Sequence, residues 1–157
     1  MRDPCIFSFL TLIGTVSVTE DGEGRITGVY LPNGNLPAMD ERETDILDEA
    51  SGQLNEYFSG RRKRFDLPLA YESTPFRTAV MDAVREIPYG EIRTYSQLAK
   101  AAGSPNAFRA AGSVCASNPL PILIPCHRVV PSSGGIGGYA YGTSMKRRLL
   151  ELEREHS

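Results

Sequence analysis

The chain has 157 residues, of which 41% are hydrophobic and 23% charged. That composition excludes a disordered or collagen-like chain and accommodates one domain or two small ones. Three cysteines, Cys5, Cys115 and Cys126, make no disulfide framework and point to a reducing compartment. With His127 and His156 as the histidines, no zinc-ligand cluster takes shape. The net charge of −2 argues against a strongly basic nucleic-acid binder, but residues 1–76 carry −6 and residues 77–157 carry +4. This asymmetry predicts a basic surface in the second half and salt-sensitive binding there.

No apolar run approaches the roughly 20 residues of a membrane span. The stretch from Cys5 to Val18 is broken by Ser8, Thr11, Gly14, Thr15 and Ser17. Asp3, Pro4 and the lack of a small-residue cleavage site argue against a signal peptide. Residues 12–31 read as a β-hairpin in which Leu12, Val16 and Val18 alternate with polar residues and 21–24 turn the chain. A helix follows over 43–59, with Leu47, Ala50, Leu54, Tyr57 and Phe58 on one face and Gly60 as its stop. Arg61 to Arg64 read as a solvated basic loop, and 65–74 as an extended linker. A domain boundary at Tyr71–Ser73 divides the chain into 1–72 and 73–157.

Thr74 and Pro75 are an N-cap and first-turn proline, opening a helix with Phe76, Val80, Val84 and Ile87 as its apolar stripe. Thr94-Tyr95-Ser96-Gln97 is a capping box that starts a short helix ending at Gly103. Ser104-Pro105 predicts the start of the next helix, running to about Ala116. Helix, short turn, helix is a helix-turn-helix pattern. The second helix is small-faced, with Ala107, Ala110, Ala111, Gly112 and Ser113 around Arg109, and can approach another surface closely. In the last helix, about 143–154, Lys146, Arg147 and Arg148 sit near the positive end of the dipole and Glu151, Glu153 and Glu155 near the negative end, both unfavourable. His156 falls in a terminus expected to fray.

Residues 117–142 carry the chemistry. Pro119, Pro121 and Pro125 rule out a regular helix on the way to Cys126, and Ile122-Leu123-Ile124 bury the approach. Gly134, Gly135, Gly137, Gly138 and Gly142 follow in a loop whose backbone can come near a ligand. His127 and Arg128 favour a thiolate at Cys126 electrostatically. Adjacent side chains rarely point the same way, so a bridging water suits Cys126 and His127 better than a direct bond. Taken alone, the Cys-His pair reads as a buried structural cysteine beside an unrelated histidine.

Asn118-Pro119 through Pro125-Cys126-His127-Arg128-Val129-Val130 resembles the active-site signature of the O6-alkylguanine-DNA alkyltransferases. Tyr57-Phe58-Ser59-Gly60, Thr74-Pro75-Phe76, Ile87-Pro88-Tyr89-Gly90, Thr94-Tyr95, Leu98-Ala99 and Arg109-Ala110-Ala111-Gly112 fall in family order and spacing. The resemblance covers about residues 55–153 closely and the first 50 loosely. It implies an α/β (α+β) fold: a small ribonuclease-H-like N-terminal domain and a helical, winged-helix-like C-terminal domain with the helix-turn-helix. The implied activity is DNA repair by direct damage reversal. O6-alkylguanine is flipped out of duplex DNA and its alkyl group moves irreversibly to Cys126, once per molecule, without a cofactor or metal.

Carried over by position, His127 acts through water as base toward Cys126, and Glu153 orients His127. Tyr95 hydrogen-bonds the flipped base at N3 and helps protonate the leaving guanine. The backbone carbonyls of Cys126 and Val129 accept from the guanine amine, Tyr139 and Pro121 wall the pocket, and Asn118 holds the turn before the active-site strand. Arg109 fills the space left by the extruded base, and Ala107, Ala110, Gly112 and Ser113 admit the helix to the minor groove. The implied protein is a monomer, cytoplasmic and nucleoid-associated when on DNA, with no membrane partner. Met81 stands where tryptophan is common, Ala140 where some relatives carry serine, and Val114 where alanine is usual. Cys115 is expected near the pocket as a small buried residue. Two rivals remain open: a binding protein that recognises alkylguanine without transfer, and a cysteine hydrolase built on Cys126 and His127.

Overall fold

A computed structural model describes residues 2–71 and 73–157. The chain forms two compact units, Met1–Tyr71 and Glu72–Ser157. The first is a four-stranded sheet and one helix. Strands β1 (Cys5–Thr11), β2 (Gly14–Glu20), β3 (Ile26–Tyr30) and β4 (Asp40–Glu41) lie in the order β3-β2-β1-β4, with β4 parallel to β1 and the other pairs antiparallel. The β2–β3 hairpin forms within the predicted 12–31. The apolar stretch before it is a further strand, running in unbroken register from Cys5↔Glu20 to Thr11↔Gly14. Leu12, predicted to alternate inward, lies in the turn between β1 and β2 and is 70% exposed.

Burial on both sides of β2 explains why hydrophobic alternation marked it. Val16 and Val18 are fully buried, and the intervening hydroxyls are satisfied across strands: Ser17 pairs with Ser8 at 2.7 Å and Thr19 with Thr27 at 2.8 Å. Helix α1 (Asp45–Phe58) is capped by Thr44, whose hydroxyl accepts from the Leu47 amide and donates to the buried Glu20 carboxylate. The segment predicted as a linker over 65–74 is held to this unit in its first half. Ile26 donates to the Pro68 carbonyl at 2.8 Å, and Ala70 donates back to Ile26 at 2.9 Å. Gln53 exchanges hydrogen bonds with the Asp66 backbone. Proline offers an acceptor but no donor, which suits Pro68 to that one-sided contact.

In the second unit, α2 (Pro75–Arg85) is capped by Thr74, and α3 (Tyr95–Ala101) has the complete capping box of Thr94 and Gln97. Strand β5 (Arg93–Thr94) pairs in parallel with β6 (Val129–Val130). Helix α4 spans Phe108–Ala116 and begins later than the predicted Ser104-Pro105 start. The Ala107 amide donates to the Ser104 carbonyl at 2.9 Å, so Pro105 sits inside a turn and helical geometry begins after it. Helix α5 (Thr143–His156) carries His156 in its last turn, where Nδ1–H donates to the Leu152 carbonyl at 2.7 Å. The expected fraying is replaced by this bond. Val80, Met81, Val84, Leu98, Ala111 and Leu149 are buried in the core of this unit. Among the described residues, no helix is long and apolar enough to cross a membrane.

Gly22 and Gly24 both have positive φ, 86° and 82°, but a methyl group on Gly22 would overlap the Arg2 carbonyl oxygen, whereas Gly24 faces open space. Gly24→Ala is expected to cost about 1 kcal/mol from backbone strain alone, and Gly22→Ala about 3 kcal/mol. Parallel thermal unfolding of the two variants checks the order; equal losses would show that the Arg2 contact is immaterial.

Candidate active site

Cys126 is reached through a tightly tied loop. Helix α4 ends at Ala116, and Asn118 takes over the backbone groups that follow. Its Oδ1 accepts from the Leu120 amide at 2.9 Å, and its Nδ2 donates to the Ile124 carbonyl at 2.8 Å. Ile122 in that loop has φ 73°, a strained conformation for a β-branched residue, held in place by near-complete burial. Pro125 has φ −80° and ψ 63°, and the Cys126 amide donates across it to the Ile124 carbonyl at 2.8 Å. That is an inverse γ-turn, which leads directly into a 3₁₀ turn over Cys126–Arg128. The prolines and apolar residues therefore deliver the thiol on a rigid bend.

Glu153 projects from α5 as a buried hub. Its Oε2 lies 2.5 Å from His127 Nε2. Arg128 donates to it twice, Nε to Oε1 at 2.8 Å and Nη2 to Oε2 at 3.0 Å, and the Gly90 amide donates to Oε1 at 3.1 Å. Burial alone would raise the Glu153 carboxyl, but the hydrogen bonds and charges of His127 and Arg128 outweigh it and hold the group at about 2. Burial pushes His127 below its ordinary value, aided by Arg128 and Lys146 and opposed by Glu153. With the carboxylate ionised and the imidazole neutral, Nε2–H is the donor and the ring's lone pair resides on Nδ1.

The thiol faces a cavity of about 310 Å³ lined by Tyr95, Gly112, Cys115, Ala116, Cys126, Gly138, Tyr139 and Ala140. Burial pushes the Tyr95 phenol up to about 12 and raises Tyr139 as well. The Tyr139 hydroxyl is buried with no hydrogen-bond partner among the described residues. Asn118 Nδ2 reaches Cys126 Sγ at 3.3 Å. The neighbouring Cys115 thiol, with burial, raises the Cys126 thiol well above its ordinary value, against Asn118 and Lys146.

The sequence-predicted residues divide accordingly. Cys126, Tyr95, Tyr139 and Gly112 meet at the cavity, and His127 and Glu153 are buried off its lining, paired with each other. Pro121 is buried and lies off the cavity lining, as do Asn118 and Val129. The Cys126 and Val129 carbonyls each already accept one bond, from the Val129 amide and from Lys146 Nζ at 2.7 Å, leaving a second lone pair on each. Arg109, Ala110 and Ser113 are exposed on α4, with Ala107 and Gly112 partly exposed; Val114 is buried and faces the interior. The sequence reading did not assign Arg128 to the Glu153 hub, although its place beside the Cys-His pair was noted. Lys146 was flagged by its unfavourable dipole position. It is fully buried, bonding the Val129 and Gly138 carbonyls. Phe108, 45% exposed with the Arg109 guanidinium 5.8 Å from its ring centre, carried no sequence signal.

Comparison with known proteins gives this arrangement its family. Residues 75–155 match the 6-O-methylguanine DNA methyltransferase DNA-binding domain, and residues 9–71 match the ribonuclease-like domain of the same family. The chain belongs to the 6-O-methylguanine DNA methyltransferase family. It is 42% identical over 152 residues to the constitutive methylated-DNA–protein-cysteine methyltransferase of Bacillus subtilis, covering 92% of each chain. It is 50% identical over 149 residues to the Methanosarcina acetivorans methylated-DNA–protein-cysteine methyltransferase, covering 92% of this chain and 95% of that one. The crystal structure of Mycobacterium tuberculosis OGT in complex with DNA superposes with a TM-score of 0.88 at 34% identity, covering 98% of this chain and 94% of that chain.

Glu153 and His127 are both held below their ordinary values of 4.5 and 6.5. Their contribution to stability is therefore complete above those values and is lost as pH falls through them. Thermal stability is expected to decline below about pH 6.5 and more steeply below about pH 4.5, the second stage amounting to roughly 3 kcal/mol. In Glu153→Gln the second stage should disappear, on a protein already destabilised at neutral pH by a buried, unpaired Arg128. An unchanged acid limb in that variant would assign the loss to other carboxylates.

Proposed function

We propose that this chain is a suicide methylated-DNA–protein-cysteine methyltransferase that takes the alkyl group of O6-alkylguanine in duplex DNA onto Cys126. The observation that carries the reading is the thiol at the cavity, backed by a neutral imidazole whose far nitrogen is fixed by a buried carboxylate. The Cys126 thiol is held above its ordinary value, so a base is required. His127 Nδ1 takes its proton through a water, and Glu153 stabilises the imidazolium. The thiolate attacks the alkyl carbon: the S–C bond forms as the C–O6 bond breaks. A soft sulfur nucleophile suits a saturated carbon. Tyr95, its phenol protonated at neutral pH, donates to the flipped base at N3 and supplies the leaving guanine with a proton. Tyr139 forms the cavity wall, and the second lone pairs of the Cys126 and Val129 carbonyls accept from the guanine amine.

In this reading, α3, the turn after it and α4 form a helix-turn-helix that enters the minor groove. Ala107, Ala110, Gly112 and Ser113 permit close approach, and Arg109 occupies the gap left by the extruded base. Residues 1–72 serve as the ribonuclease-H-like domain, and 73–157 carry DNA binding and alkyl acceptance. The protein acts as a monomer in the cytoplasm, on nucleoid DNA; its free cysteines support a reducing compartment.

Incubation with a duplex containing one O6-methylguanine should add a single methyl group, mapped by mass spectrometry to Cys126 and absent in Cys126→Ser. Tight binding of that duplex with no added mass would instead assign a damage-recognition protein. Arg109→Ala should slow single-turnover transfer from duplex DNA by on the order of tenfold or more, because the extruded state loses its filler. An unchanged rate would remove Arg109 from base extrusion.

A further inference from the structure

The cavity holds two thiols, and the transfer reaction uses one. Cys115 sits on the last turn of α4 and Cys126 on the 3₁₀ turn. Both residues line the same cavity, and each thiol acts electrostatically on the other. Asn118 touches the Cys115 backbone and the Cys126 sulfur. Its amide donates to the Cys115 carbonyl at 3.3 Å and its Nδ2 donates to Cys126 Sγ at 3.3 Å. Lys146 acts electrostatically on both sulfurs. Two thiols facing one cavity near a cation favour one thiolate in the pair. The neighbouring Cys126 draws the Cys115 thiol below its ordinary value, against its burial and with help from Lys146 and Arg77.

We propose that Cys115 is a resolving thiol for Cys126: a peroxide oxidises the pair to a Cys115–Cys126 disulfide, which closes the acceptor reversibly. The step balances in two stages. A thiolate of the pair attacks the peroxide, forming an S–O bond as the O–O bond breaks and water leaves. The neighbouring thiol then attacks that sulfur, forming the S–S bond as the S–O bond breaks, and a second water carries off its proton. The peroxide gains the two electrons the thiols lose, and a dithiol reductant restores both. The consequence rests on Cys126 being the alkyl acceptor. A nucleophile that acts once has no turnover to spare, and a nearby resolving thiol diverts it from the sulfinic and sulfonic acids that no thiol reverses.

Trypsin cutting after Arg109 and Arg128 places both cysteines in one peptide, residues 110–128, and leaves Cys5 outside it. The native full chain is treated with hydrogen peroxide, denatured, blocked with iodoacetamide and mapped. The expected result is a 110–128 peptide lighter by about 2 Da and carrying no iodoacetamide, restored by dithiothreitol. Methyl-acceptor capacity should fall and return in parallel. In Cys115→Ser, the same treatment should instead add about 32 Da at Cys126, with capacity not returned by dithiothreitol. Wild-type peptide with an oxidised Cys126 and an alkylatable Cys115 would overturn the proposal, as would a pair left fully reduced while added glutathione is oxidised. The wild-type map decides the matter even if Cys115→Ser fails to fold. It also reads the thiol pair without reference to DNA, so failure of the transferase reading is seen separately, as an absent methyl adduct on fully reduced protein.

Discussion

A buried carboxylate organises the chemistry of this protein. Glu153 takes hydrogen bonds on both oxygens from three directions: the imidazole of His127, the guanidinium of Arg128 and the Gly90 amide. Removing such a group from water costs several kcal/mol, and only a nearly complete set of donors offsets that. The arrangement draws α5, the 3₁₀ turn and the Gly90 loop to one point. Arg128 extends it by donating to the Ile87 carbonyl at 2.7 Å. The same interaction determines the state of the histidine. An ionised partner on Nε2 places the hydrogen there and the basic lone pair on Nδ1, so structure and proton transfer draw on one contact.

Lys146 solves a second problem. A fully buried ammonium one turn into a helix is unfavourable both for burial and for the dipole. Its partners are the Val129 and Gly138 carbonyls, so it ties β6 to the glycine-rich loop that lines the cavity. Gly137 fits beside it because a methyl group there would approach Pro131 Cδ to 2.8 Å. The loop is thus kept close to the thiol by a cation and by the absence of a side chain. Asn118 plays the matching role before Cys126, holding a loop that includes a strained Ile122. The nucleophile is gripped on both sides of the bend.

Much of the local structure was legible in the sequence. Thr74 and Thr94 cap helices as expected, and Thr44 does the same inside the predicted 43–59 helix, because a threonine hydroxyl reaches the amide three residues on. The 21–24 turn follows from glycine and aspartate in tandem. On sequence alone Cys5–Thr11 goes unassigned and 65–74 reads as a linker, and both have the same cause. Strand β1 lies between its hairpin partner β2 and the distant β4, residues 68–70 pair with Ile26, and neither segment has a clean alternation to advertise it. The late start of α4 likewise depends on a turn closed by Ser104 and Ala107, where the sequence offered a plausible cap and a first-turn proline.

The motif from Asn118 to Val130, by its residue types alone, determined that a cysteine would be presented on a stiff apolar bend beside a histidine, and which family shares that pattern. It left undetermined which side chains surround the sulfur, because those come from helices separated from it by many residues. Glu153 lies 27 positions beyond Cys126, and Lys146 lies 20. In the sequence they appear as charges at the wrong ends of a helix. Burial changes their meaning: in water the dipole term would dominate, whereas inside the fold each charge finds its counterpart and the dipole becomes the smaller effect. The proximity of Cys115 to Cys126 belongs to the same category. The spacing of two cysteines 11 residues apart implies nothing by itself; the family resemblance placed Cys115 near the pocket, and α4 and the 3₁₀ turn bring both residues to one cavity.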